Sequence, residues 1–167
     1  MTNLDPSVGA ATDALALTRE LGAIEGVATL HDRAIPGTRA RVDHIAIGPS
    51  GVYVIDTSEH ADASGHVVRR GSRLFVGAQE RTDLLAAMKV RVDAVAAALG
   101  DLHFPISRAL CFVGSEWPAT APPFMLQGVW VGWANPLYGL VAQPGHLQAL
   151  DIDAALQILD THLPADD

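Results

Sequence analysis

Two aspartates, Asp43 and Asp56, stand at mirror-related positions around a short turn. Runs rich in β-branched residues, Arg41 to Ile47 and Val52 to Thr57, flank the tetrapeptide Gly48-Pro49-Ser50-Gly51. Such a tetrapeptide between two such runs is typical of a β-hairpin with a two-residue turn. Symmetric pairing about Pro49-Ser50 sets Asp43 opposite Asp56, with their Cβ atoms about 5 Å apart on one face.

Two carboxylates so placed repel each other unless a proton, a cation or a metal ion lies between them. Mg²⁺ is held by one or two carboxylates together with water and phosphate oxygens, and it can activate water for phosphodiester cleavage. The pair therefore predicts a metal-dependent nuclease site with Asp43 and Asp56 as metal ligands. On spacing alone the alternative is favoured, in which the aspartates lie in solvent or pair with arginines.

The elements around this hairpin predict an α/β fold with a mixed central β-sheet flanked by helices. Helices are expected at Val8–Leu21, Thr82–Leu99, Pro136–Val141 and Asp153–His162, and further strands at Val27–His31, His66–Arg70, Leu74–Val76, Ala109–Val113 and Val129–Trp133. No internal repeat or linker divides the sequence, so a single domain over residues 1–167 is expected.

Composition narrows the classes of function. The net charge of −8 argues against a large basic face for nucleic acid, although a local basic patch stays open. Cys111 is the single cysteine, which excludes an intrachain disulfide, and no Cys/His spacing suggests a structural zinc site. With neither an apolar run that could span a bilayer nor a secretory signal, a cytoplasmic protein without membrane contact is expected.

From His31 to Ala40, and again from Val42 to Asp56, the sequence resembles the core of the nuclease-related domain (NERD) family. A weaker match extends to about Val131. The resemblance implies a restriction-endonuclease-like core, with Asp43 as the first acid and Asp56 as the second. It also implies a further acid in the first helix, at Asp13, and Mg²⁺ as cofactor if the site is active.

The family's pattern is broken beside the second acid. Lysine is expected two residues after it, but Ser58 stands there, on the same strand face as Asp56. A serine hydroxyl cannot supply the positive charge of that lysine. Arg91 replaces the family's usual glutamine in the following helix. Helical rotation places Arg91 and Lys89 at opposite edges of the apolar stripe, so they cannot both face the site. The resemblance implies that Arg91 faces it and Lys89 does not.

Arg41 is a further departure, because the resemblance implies a small polar residue two positions before the first acid. The pairing that opposes Asp43 and Asp56 also opposes Arg41 and Ser58, on the same face. We hypothesise that the guanidinium of Arg41 bridges to Asp56, Asp43 or both in place of the lysine. The alternative is that Arg41 points into water and contributes nothing measurable.

Three functions follow from these residues. The leading hypothesis is a NERD-like domain that is catalytically degenerate and acts as a binding or regulatory module. The second is an active Mg²⁺-dependent nuclease with a rearranged cation, and nucleic acid as partner. The third is a structural subunit with a protein partner, contacted through aromatic residues and prolines of one segment: Trp117, Phe124, Trp130, Trp133, Pro118, Pro122 and Pro123.

Overall fold

The computed structural model describes residues 15–59, 66–114 and 122–166, which form an α/β structure with a six-stranded mixed sheet, a second sheet of three strands and flanking helices. In chain order the elements are α1 (15–22), β1 (Ala28–Ala34), β2 (Arg41–Gly48), β3 (Gly51–Glu59), β4 (Val67–Arg70), β5 (Arg73–Val76), β6 (Gln79–Glu80), α2 (Asp83–Leu99), β7 (Ile106–Val113), β8 (Phe124–Leu126), β9 (Val129–Gly132), α3 (Ala134–Val141) and α4 (Ala149–His162).

The large sheet has the strand order β1-β2-β3-β7-β9-β8. The pairs β1–β2, β2–β3 and β8–β9 are antiparallel, whereas β7 lies parallel to both β3 and β9. Five consecutive residues of β7, from Ala109 to Val113, are buried. A parallel strand covered on both faces requires such a continuous apolar run.

Helices cover both faces of this sheet. One face packs its side chains, such as Ile45 and Val54, against α2, α4 and the inner side of the three-stranded sheet. The other face carries Ala46 and Ile55 and packs against α1 and α3. Alternation along β2 and β3 therefore sends neighbouring side chains into two separate apolar layers.

The predicted fold class is confirmed, and most predicted elements are present with shifted ends. The helix expected at Thr82–Leu99 runs over Asp83–Leu99 and ends at Gly100, whose φ of 57° suits glycine. The last helix begins earlier than expected, at Ala149, because Gln148 and Asp151 form a reciprocal capping box. Two short strands, β6 and β8, were not predicted. Of the helix expected at Val8–Leu21, positions 8–14 lie outside the described residues.

No helix in the described ranges is both long and apolar enough to cross a membrane.

Candidate functional site

Strands β2 and β3 meet in the predicted register. Gly48 pairs with Gly51 across the Pro49-Ser50 turn, and the pairing continues to His44 opposite Ile55. Asp43 and Asp56 are the next residue on each strand. The Oδ2 atom of Asp43 reaches across to β3, where it accepts hydrogen bonds from the backbone nitrogen and the Oγ1 of Thr57, both at 3.0 Å. Asp43 is thus tied to the residue that follows Asp56.

Asp56 is almost fully buried, with 7% of its surface exposed. The Nε atom of Arg91, on α2, lies 3.0 Å from its Oδ1. The Nε–H group, however, donates to the carbonyl oxygen of Arg41 at 2.8 Å. Oδ1 consequently accepts no hydrogen bond from the residues that the structure describes. Arg91 therefore supplies charge to Asp56 without satisfying this oxygen.

The electrostatics of Asp56 follow from this burial. The pKa of its carboxyl is raised to about 7, chiefly by desolvation and in smaller part by the nearby charge of Asp43. Arg91 lowers the pKa of Asp56, but by less than burial raises it. Asp56 thus holds its proton far more readily than an exposed aspartate, although a guanidinium lies beside it.

Arg41 forms an ion pair with Asp43, one of the two hypothesised partners, whereas Asp56 pairs with Arg91. The Nε of Arg41 lies 3.9 Å from Oδ1 of Asp43, and its Nη1 lies 3.9 Å from Oδ2 of Asp166. Both distances exceed hydrogen-bond length, so Arg41 makes no bidentate hydrogen bonds to these carboxylates. The cation beside Asp56 is Arg91, which reaches it because α2 packs over this part of the sheet.

The other predicted site residues fall into three groups. Ser58 lies on β3, half-buried and paired in register with Phe112 of β7. Lys89 is exposed and pairs with Asp93 on its own helix, away from the carboxylates. Asp13 lies outside the described residues.

The aromatic segment is only partly described. Trp117 and Pro118 lie outside the described residues, whereas Phe124, Trp130 and Trp133 are half-buried. Trp130 packs against the apolar layer beneath α1 and α3. This contact is the core role that tryptophans usually have, and it leaves the protein-partner hypothesis without an exposed aromatic patch among these three side chains.

The donor set fits a divalent ion poorly. One oxygen of Asp43 already accepts two hydrogen bonds, and burial raises the pKa of Asp56. Arg91 also holds a positive charge 3.0 Å from Oδ1 of Asp56. Among the described residues, no group of three His, Cys, Asp or Glu side chains is arranged to hold a metal ion. Against these features, Oδ1 of Asp56 is buried and accepts no hydrogen bond from the described residues, so a cation would stabilise it.

Sequence reasoning missed the part that Thr57 plays. Its backbone and hydroxyl groups satisfy Asp43, although it stands between two residues that the sequence singled out, Asp56 and Ser58. The available signal was the hydroxyl of a threonine within reach of the opposite strand. Its use could not be inferred before the rotamer of Asp43 was known.

Comparison with known proteins completes the assignment. The family model described as "NERD: Nuclease-related domain" matches residues 10–113, which is more than half of the chain and includes both site aspartates, Ser58 and Arg91. No curated protein and no solved structure matches the chain. With the matched hairpin, the acid pair and α2 all inside one family model, the chain belongs to the nuclease-related domain family.

Proposed function

We propose that this nuclease-related domain has lost metal-dependent phosphodiester hydrolysis and acts as a binding module for nucleic acid. The loss of hydrolysis is supported above all by the position of Arg91, whose Nε lies 3.0 Å from the buried Oδ1 of Asp56. A guanidinium is always charged, and its attraction for the carboxylate competes with that of a divalent ion for the same oxygen.

The chemistry of the neighbouring positions supports this loss. A hydrolytic site needs an ionised acid pair and a positive group near the attacking water and the developing negative charge. Here Thr57 donates two hydrogen bonds to Oδ2 of Asp43, and burial favours the neutral form of Asp56. Ser58 stands where the family's lysine is expected. The first two features weaken the acid pair as a metal ligand, and the third removes the positive group. All three lie on β2 and β3.

The binding half rests on the hairpin of β4 and β5. Its exposed arginines Arg70 and Arg73 lie directly opposite each other, and like charges so paired destabilise a hairpin unless an anion lies near. Glu80 is 3.6 Å from Arg73, which offsets one of the two charges. The guanidinium of Arg70 lies 4.9 Å from the ring centroid of Phe75. Arginines interleaved with an aromatic ring are the groups that bind phosphates and stack on bases.

A second candidate function, an active metal-dependent nuclease, is favoured by one observation, the orphaned Oδ1 of Asp56. A buried carboxylate oxygen without a donor is a position that a cation would stabilise. This candidate requires Arg91 to leave the carboxylate. It differs from the leading proposal in predicting cleavage that depends on Asp56.

One experiment tests both halves of the proposal, by following labelled single- and double-stranded DNA and RNA for binding and for cleavage. We expect binding that weakens as salt rises, and no cleavage with Mg²⁺ or Mn²⁺ above the level of Asp56→Ala. The double variant Arg70→Ala, Arg73→Ala should bind about tenfold more weakly or worse. A matched double variant, Arg19→Ala with Arg39→Ala, removes the same charge from exposed positions elsewhere and should bind like the wild type.

Two results would contradict the proposal. Cleavage that disappears in Asp56→Ala would establish the nuclease. Equal weakening of binding by the two double variants would show that only net charge matters and that the β4–β5 hairpin is not the contact surface.

A further inference from the structure

A cavity of about 440 Å³ opens at the end of the large sheet where β7 begins. Strand β7 starts two residues before Arg108, which pairs with the first residue of β9, Val129. The space beside the start of β7 is also lined by the β8–β9 turn, Gln127-Gly128, and by Leu140 of α3. Binding sites for small ligands have volumes of about 300–1,000 Å³, so this cavity has room for one such ligand.

The lining of this cavity combines apolar surface with one positive charge. Trp130, Leu140 and Met125, which is 55% exposed, supply the apolar part. Ser107 adds an exposed hydroxyl group, and Arg108 adds the charge. Neither Asp nor Glu is among the described residues that line the cavity. Such a surface favours a ligand that has both a flat apolar part and a negative charge.

The guanidinium of Arg108 is available to a ligand. Arg108 is half-buried and pairs with no carboxylate of the described residues, and its nitrogens are not among the buried atoms that lack a partner. They are therefore open to solvent, where a phosphate can accept two parallel hydrogen bonds from them. Two other cavities lack this charge: the one at the start of α4 is lined by Asp153, and the one at the β2–β3 turn has no arginine among its lining residues.

The rim of the cavity touches the β4–β5 hairpin. The Nε2 of Gln127 donates to the carbonyl oxygen of Ser72, at the tip of that hairpin, over 2.8 Å. Arg69 of the same hairpin donates through Nη1 to the carbonyl oxygen of Met125 at 3.1 Å. Ser72 stands directly before one of the two arginines of the proposed contact surface. A nucleic-acid strand held by those arginines would therefore pass close to the cavity.

We propose that the cavity binds one unpaired nucleotide of a single-stranded nucleic acid, with its base against Trp130 and Met125 and its phosphate on Arg108. Bases in a duplex are paired and stacked, so they cannot enter a cavity, whereas those of a single strand can pack against aromatic and apolar side chains. The inference rests on the proposed nucleic-acid binding and adds to it the form of nucleic acid that is preferred.

The test compares the affinity for a labelled oligothymidylate with that for a duplex of the same length, by fluorescence anisotropy of the full chain at one salt concentration. The wild type should bind the single strand about tenfold more tightly. Met125→Glu places a carboxylate at the rim, so it should weaken single-strand binding about tenfold and duplex binding far less. Val90→Glu is the matched control, because it adds the same charge at another exposed apolar residue, and it should keep the preference.

A second variant removes the positive charge of the cavity. Arg108→Ala should weaken single-strand binding about fivefold or more, because one phosphate contact is lost. Arg39→Ala removes the same charge from an exposed position elsewhere and should bind like the wild type. Circular dichroism of each variant verifies its fold.

Equal affinity of the wild type for single strand and duplex would overturn the role of the cavity, and so would equal losses in Met125→Glu and Val90→Glu. Binding that still depends on Arg70 and Arg73 would in that case leave the proposed function standing. Loss in Met125→Glu but not in the double variant Arg70→Ala, Arg73→Ala would retain the cavity and remove the hairpin. No binding of either probe would contradict both proposals.

Discussion

At the scale of single residues, the pKa values of two buried titratable groups on neighbouring strands are shifted in opposite directions. Burial raises the pKa of Asp56 to about 7 and lowers that of His44 to about 4. Both shifts favour the neutral side chain, because the interior solvates a charge poorly. His44 and Asp56 are also the buried polar side chains of the described core. The core is therefore sensitive to pH from both directions.

The direction of each effect on stability follows from proton binding. Between pH 3.8 and about 7 the folded protein keeps the Asp56 proton that the unfolded chain has lost, so stability falls as pH rises through this window. Between pH 6.5 and about 4 the unfolded chain gains a proton that folded His44 does not, so stability falls as pH falls. In the wild type the two slopes oppose each other.

The substitution Asp56→Asn should leave only the pH dependence of stability that comes from His44. The variant loses the contribution of Asp56, so its free energy of unfolding should rise relative to that of the wild type as pH increases from 4 to 7. The difference at neutral pH should be on the order of 1–4 kcal/mol. Urea unfolding across this pH range measures it, with Asp93→Asn on exposed α2 surface as control. Parallel stability curves for the wild type and Asp56→Asn would show that Asp56 titrates normally.

At the scale of elements, local signals in the sequence predicted the hairpin and the long helix. The tetrapeptide Gly48 to Gly51 specified the turn and with it the register that carries Asp43 towards Asp56. The apolar stripe of α2 placed Arg91 and Lys89 at opposite edges of the helix, and the family resemblance implied that Arg91 is the one that faces the site. The turn and the helix themselves depend on local residue pattern, which a single sequence contains.

Features that depend on packing between elements were not predictable. Arg91 rather than Arg41 pairs with Asp56 because α2 packs against β3 and β7, and sequence spacing does not contain that packing. Strands β6 and β8 have two and three residues, too few for a periodic pattern. The hydrogen bond between the rings of His31 and His44 depends on the register of β1 against β2, across thirteen positions of sequence.

Gly51 is the position where the hairpin tolerates substitution least. Its φ is 138°, and a Cβ atom added there would lie 2.5 Å from the carbonyl oxygen of Pro105, which accepts the hydrogen bond of Val52. Gly51→Ala should therefore lower the free energy of unfolding by about 3 kcal/mol through backbone strain and overpacking. Chemical denaturation measures the loss.

Gly71→Ala is the matched control for this prediction. Gly71 also has a positive φ, 59°, in a hairpin turn, but a Cβ atom there would meet no atom within 4 Å. It should cost only the backbone strain, about 1 kcal/mol. If both substitutions cost the same, the close approach of Pro105 to β3 contributes nothing to stability.

At the scale of the whole molecule, three distant parts of the chain enclose the acid pair. Strands β2 and β3 carry it, α2 brings Arg91, and the C-terminal segment brings Asp166 to Arg41. That segment is held against β1, where the backbone nitrogen of Ala34 donates to the carbonyl oxygen of Pro164 and Leu163 is 2% exposed. Each of the two carboxylates thus has an arginine of the same chain beside it, Arg91 at Asp56 and Arg41 at Asp43, although the net charge of the chain is −8.

The central claim is that Asp56 has Arg91 beside it and Asp43 is hydrogen-bonded by Thr57, so that neither carboxylate binds a divalent ion. Electron paramagnetic resonance of free Mn²⁺ in the presence of the protein measures this directly, because bound Mn²⁺ loses the sharp signal of the free ion. We expect the wild type and Asp56→Asn to leave the same concentration of free Mn²⁺. One Mn²⁺ bound per chain in the wild type, and lost in Asp56→Asn, would contradict the account.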